Sequence, residues 1–205
     1  MCGHSDVVTC VDGAVALDFA SVFVSASQRI WLHAAIYNRF AENAGVADAL
    51  REGLRNPAVH LEVVLLPVWR DVPWMDAACR VIRPFLSRAE VRERAEVSAA
   101  FFASLSKQFA GQVTVREATV FPAVPMVLVD STLFSGQYMH STVLAPEGHW
   151  IRETVPVETL MPLAEQAVRE NRPVSSTLLQ AMPARLRAQL RYIEEWVRAC
   201  ASAVE

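Results

Sequence analysis

The chain has 205 residues, 53% of them hydrophobic, and a formal net charge of −3. That composition supplies one core, for a single domain or a domain with a helical extension. No apolar run reaches about 18 residues, so no membrane span is expected, and the slight negative charge gives no general pull toward nucleic acid.

The opening residues, MCGHSDVVTCVDGAVALDF, have no basic segment and are interrupted by Asp6, Asp12 and Asp18. They do not read as a secretory signal, and a cytoplasmic location is expected. Cys2, Cys10, Cys79 and Cys200 form no CxxC pair and fit no zinc spacing. Free thiols are expected in a reducing compartment, with no metal and no cofactor. Lys107 is the only lysine, so any lysine-dependent chemistry has one candidate.

Ala14 to Ser27 carries Val15, Phe19, Val22 and Phe23 at helical spacing. Arg29 to Tyr37 reads as a mostly buried strand, and Asn43 as the cap of a helix bearing Val46, Leu50 and Leu54. Asn56-Pro57 ends that helix. His60 to Leu66 is apolar enough for a central strand, which completes a β-α-β unit with a right-handed parallel crossover. Pro67 to Trp74 is a loop, residues 75–110 read as two helices, and Gly111 is a plausible cap residue. Strands are predicted at 113–118, 126–129 and 132–138. Beyond residue 157 the chain reads as helical, and 185–201 carries Leu186, Leu190, Ile193 and Val197 on one stripe.

The fold expected is therefore α/β: a mixed sheet with helices on both faces. Residues 1–156 form the α/β domain, and 157–205 a C-terminal helical extension packed on it. Strands 60–66 and 126–129 are expected inside the sheet, because such apolar edge strands would aggregate.

This order of elements resembles one lobe of the phospholipase D superfamily. The resemblance spans about residues 14–140. It rests on the strand region ASQRIWLHAAIY at 26–37, the helix at 43–55 with HLEVVLL after it, and the strand set from Val113 to Tyr138. The family's motif is His-x-Lys, four residues, then Asp. Setting Asp130 on the motif Asp places Ala123 at the histidine and Pro125 at the lysine. Gly136 matches the later glycine, while Gln137 replaces a small polar residue. The resemblance implies a histidine that attacks phosphorus and a lysine that neutralises the phosphoryl charge. Alanine and proline do neither, so the site reads as degenerate and phosphodiester cleavage is not expected. One-lobe members pair across a two-fold axis, which implies a homodimer.

The residues singled out as ligand-binding candidates are His33, Tyr37, Trp69, Arg70, Asp130, Ser131, Gly136, Gln137, Tyr138, His140 and Ser141. Asp130 reads either as a turn residue whose carboxylate accepts backbone N–H groups or as a ligand contact. His33 and Tyr37 share a strand face, either as core residues or at the sheet end near Asp130. His140 reads as a loop histidine or as a contact to an anion. Trp69 and Arg70, with Trp74, either anchor their loop or stack on a ring. His149 and Trp150, after a turn, either cover the cleft or close the domain.

Two functions follow. The first is a catalytically inactive domain that binds a small anionic or nucleotide-like ligand, or a protein partner, as a regulatory homodimer. The second is an enzyme of another type, a hydrolase or transferase on a phosphate-containing small molecule or nucleotide, using His140, Asp130 and His33. The homodimer is expected to bury an apolar surface near residues 130–141, since Asp130 is the only charged residue between 118 and 146 before His140. The 185–201 helix is the other candidate interface.

Overall fold

The computed structural model describes residues 8–120, 124–136 and 147–201. Its core is a seven-stranded mixed sheet in the order β1-β7-β6-β5-β2-β3-β4. These strands are β1 (Thr9–Asp12), β2 (Arg29–His33), β3 (His60–Leu65), β4 (Val113–Glu117), β5 (Met126–Val129), β6 (Thr132–Ser135) and β7 (His149–Thr154). β2, β3 and β4 run parallel, while β5, β6, β7 and β1 continue the sheet antiparallel from β2. β3 and β5 both have neighbours on each side, as their largely apolar sequences require.

Alternation along the strands sorts their side chains into two layers. Ile30, Leu32, Leu61, Val63, Val127, Val129 and Phe134 face one way. On them pack α1 (Phe19–Val24) through Phe19 and Phe23, α3 (Ala44–Leu54) through Leu50 and Leu54, and α5 (Arg88–Gln108) through Phe102 and Leu105. Trp31, Val64, Met126, Leu128 and Leu133 face the other way. They meet α6 (Val157–Arg169) and α8 (Ala184–Cys200), with Leu160, Ala164, Leu190, Ile193 and Trp196 buried between. The indoles of Trp31 and Trp196 stack at 5.0 Å and 7°, a pairing worth about 0.5–1.5 kcal/mol beyond its buried area. α2 (Asn38–Glu42), α4 (Met75–Ile82) and α7 (Ser176–Ala181) complete the described helices. Helices thus cover both faces.

Local chemistry explains the helix ends. The Asn43 side chain accepts the Val46 N–H at 3.2 Å, as the sequence predicts. Ser87 and Glu90 cap α5 reciprocally. Gly53 lets α1 and α3 touch, since a Cβ there would lie 2.3 Å from the Phe23 carbonyl oxygen.

Several boundaries differ from the sequence expectation. The helix over 14–27 is a 3-10 turn at Ala14–Leu17 and a separate α1, because Asp18 takes φ 45° between them. The strand over 29–37 stops at His33. The strand over 132–138 is described only to Ser135, and Gln137 and Tyr138 lie outside the described residues. β1 and β7 are additions. β7 includes His149 and Trp150, which therefore form part of the sheet.

No helix among the described residues is long and apolar enough to cross a membrane. The apolar segment 126–135 is not a bare surface. Met126 to Val129, Leu133 and Phe134 are all buried within the chain. This removes the exposed apolar face near 130–141 that the sequence suggested, as far as that stretch is described. The apolar stripe of α8 is likewise spent on the sheet.

Candidate ligand pocket

The two ends of the sheet have different chemistry. Asp130 and Ser131 form the two-residue turn between β5 and β6, with Val129 paired to Thr132. Asp130 has φ 52°, a left-handed conformation that Asp tolerates better than most residues. Its carboxylate reaches back to the chain that enters β2. It accepts the N–H groups of Ser27 (2.9 Å), Gln28 (2.8 Å) and Arg29 (3.1 Å) and the Ser27 hydroxyl (3.0 Å). Burial raises the carboxyl, but these donors outweigh it and hold Asp130 below the usual aspartate range. The carboxylate is thus satisfied largely by backbone N–H groups, and its donors come from residues 27–29 across the sheet end.

His33 pairs with Met126, while the Asp130 N–H donates to the Arg29 carbonyl. Four residues of strand, roughly 13 Å, therefore separate His33 from Asp130. Antiparallel pairing of β2 with β5 puts them at opposite sheet ends. The convergence of His33 with Asp130 expected from sequence does not occur, because the direction of that pairing is invisible in either strand alone. His140 and Ser141 lie outside the described residues, as do Gln137 and Tyr138.

His33 points into the α8 layer, 1% exposed, with its ring edge-on to Trp196 at 6.4 Å. Its Nε2 has no partner among the described residues. Burial depresses its pKa to about 4, so the ring is neutral at pH 7.

Tyr37 leaves the strand and turns inward. Its hydroxyl donates to the Val64 carbonyl at 2.9 Å and accepts the Ala34 N–H at 2.5 Å. The Tyr37 N–H donates to Ser98 Oγ at 3.0 Å. His33 and Tyr37 thus do not share a strand face, because the turn after β2 breaks the alternation. Trp69 and Arg70 converge on one carboxylate at the end of β4. Trp69 Nε1 donates to Glu117 Oε1 at 2.7 Å, and Arg70 Nε lies 2.8 Å from Oε2. They anchor their loop.

A pocket of about 330 Å³ opens at the end of the sheet where β2 finishes and β5 begins. That is the low end of the roughly 300–1,000 Å³ range of ligand sites, and the carboxyl end of a parallel strand is where α/β proteins place them. Its walls are aromatic and aliphatic: Phe19, Tyr37, Phe40, Trp150, Pro125 and Met126. Its polar members include Asp18, Asn38, Arg39 and Arg83. Arg83 is only 7% exposed, and Arg39 pairs with Glu147 at 3.5 Å at the surface. Gly136 shapes one wall indirectly. A Cβ there would lie 2.9 Å from Trp150 Cε2 and 3.1 Å from Pro125 Cγ, so only glycine lets the indole lie against this backbone.

Of the candidates named from sequence, Tyr37 lines this pocket and Gly136 lies behind its Trp150, while Phe19, Phe40, Arg83 and Asn38 were not among them. These come from three separate segments, since Asn38 and Phe40 share α2, and carry no motif. Among the described residues, no group of three or more His, Cys, Asp or Glu is placed to hold a metal ion.

No family model matches the sequence, and no curated protein matches it. Solved structures do. Phosphatidylserine synthase of Haemophilus influenzae Rd KW20 is similar over 94% of this chain and 47% of its own, at 12% identity and a TM-score of 0.52. Nuc from Salmonella typhimurium, a phospholipase D family member, is similar over 82% and 96%, at 15% identity and 0.47. TrmBL2, an archaeal chromatin protein, is similar over 84% and 55%, at 15% and 0.48. The fold is phospholipase D-like. The chain spans about half the length of the synthase and TrmBL2 chains.

Proposed function

We propose that this chain is a ligand-binding domain on a phospholipase D-like fold, acting as a regulatory or partner-binding homodimer without the phosphodiester cleavage of that superfamily. The observation that carries the reading is the composition of the pocket. It sits where β5 begins, beside the position that the motif lysine would take. There the wall is Pro125 and Met126, apolar and without a nucleophile. Aromatic side chains and a nearly buried arginine are the materials of a binding site, with a few polar groups to orient the ligand.

Assembly as a homodimer is supported by the single-lobe resemblance and by apolar exposure near the pocket. Val15, in the pocket wall, is 91% exposed, and Phe85, two residues beyond Arg83, is 75% exposed. Side chains of this size in water favour burial against a second copy. The enzyme reading built on His33, Asp130 and His140 loses its main support, since His33 and Asp130 occupy opposite ends of the sheet.

Native mass spectrometry of the protein purified from its host tests this directly. The expected spectrum shows a dimer carrying a small-molecule adduct that mild activation removes. A bare monomer would contradict both parts of the proposal.

A further inference from the structure

We infer that the pocket at the end of β2 takes an uncharged, compact apolar molecule: an aromatic or branched body that carries no ionised group. The inference rests on the reading of the pocket as a binding site and adds the class of ligand.

The apolar character follows from the walls. Phe19, Phe40 and Trp150 contribute aromatic rings, and Phe19 meets both Phe40 (5.5 Å) and Trp150 (6.0 Å) edge-on. Ile36, Pro125 and Met126 add aliphatic surface. A ligand lying against these side chains removes apolar area from water on both partners, which is the main source of affinity in such a site. A volume of about 330 Å³ limits its body to about two rings.

The lack of charge follows from the polar part of the lining, which the chain itself already uses. Arg39 pairs with Glu147 at 3.5 Å, at the surface. Asp18 is exposed and caps α1, accepting the Ser21 N–H at 3.4 Å. Arg83 is buried and engaged within the chain. Each of these charged side chains thus has an intrachain partner. The neutral groups are engaged as well. Asn38 donates to Glu42 at 3.1 Å, Asn43 accepts the Val46 N–H, and the Tyr37 hydroxyl lies between the Val64 carbonyl and the Ala34 N–H. An ionised ligand would lose its hydration against ring surfaces, or would have to break one of these contacts to gain a partner. A neutral ligand meets neither cost. This class differs from the anionic or nucleotide-like ligand expected from sequence.

The test titrates three probes of one skeleton into the native full chain by isothermal calorimetry: 2-(2-naphthyl)ethanol, 2-naphthylacetate and 2-(2-naphthyl)ethylammonium. At neutral pH they are uncharged, negative and positive. Near-ultraviolet circular dichroism checks that each protein is folded. The alcohol is expected to bind about tenfold or more tightly than either ion, because each ion buries a charge without a partner. Val46→Trp, which fills the pocket from α3, should abolish binding of the alcohol. Ala14→Phe, which fills it from the 3-10 turn, decides the matter if Val46→Trp does not fold. An ion that binds as tightly as the alcohol, with its binding lost in the filled variant, would overturn the uncharged class and leave the pocket standing. Failure of all three probes to bind, or binding indifferent to the filled variant, would overturn the pocket reading itself.

Discussion

The carboxylate of Asp130 accepts the backbone N–H of Gln28 at 2.8 Å across 102 residues of sequence. With Ser27 and Arg29 it ties the β5–β6 turn to the start of β2. Asp130→Asn keeps one acceptor oxygen and loses the charge. It should cost about 1.5–3 kcal/mol of stability, the range for hydrogen bonds to a charged group, measured by urea denaturation. Because the folded carboxyl titrates below its ordinary value of 3.8, its contribution is complete above that value and is lost as pH falls through the lower folded one. The variant should lose part of the acid sensitivity below about pH 4.

His33 acts in a different pH window. Its folded pKa of about 4 lies below the ordinary 6.5. Between these values the unfolded chain binds the proton and the folded chain does not, so stability falls as pH falls from about 6.5 toward 4. Replacing His33 with leucine should flatten the melting temperature across that window. An unchanged slope in the variant would show that other groups set it.

Much of the fold was legible because its central strands are apolar runs of the right length. β3 and β5 announce themselves, and Asn43 marks the start of α3. β7 did not, because its second buried position is Glu153, which looks like a solvent residue. The structure satisfies it from α8, with Arg185 Nε at 3.1 Å and Gln189 Nε2 at 2.7 Å. β1 is short, polar and mostly exposed, so it carries no periodic signal. The site was less legible. Asp130 and Gly136 are six residues apart, yet the β5–β6 hairpin sends them to opposite sheet ends. The pocket walls are assembled from segments whose neighbourhood exists only after folding.

Gly136 and Gly111 separate two uses of glycine. Gly136→Ala forces a Cβ against Trp150 and should cost about 1–3 kcal/mol by overpacking, with a shift in tryptophan emission as the indole moves. Gly111 has φ 83° and open space around it. Gly111→Ala should destabilise by about 1–2 kcal/mol through left-handed strain and leave the emission unchanged. Equal spectral shifts in both would contradict the close approach of Gly136 to Trp150.

Light scattering should give a dimer mass at micromolar concentration, and Phe85→Glu should give a folded monomer. A wild-type monomer would contradict the proposed assembly. A dimer unaffected by Phe85→Glu would move the interface away from this end of the sheet.

The central claim is that a phospholipase D-like fold is used here for binding without phosphodiester cleavage. Its most direct test is turnover of bis(p-nitrophenyl) phosphate by the purified protein, followed by nitrophenolate absorbance. The account predicts no release above the buffer background. Release that tracks the protein through purification and disappears in His140→Ala would contradict it and return the chain to the enzymes.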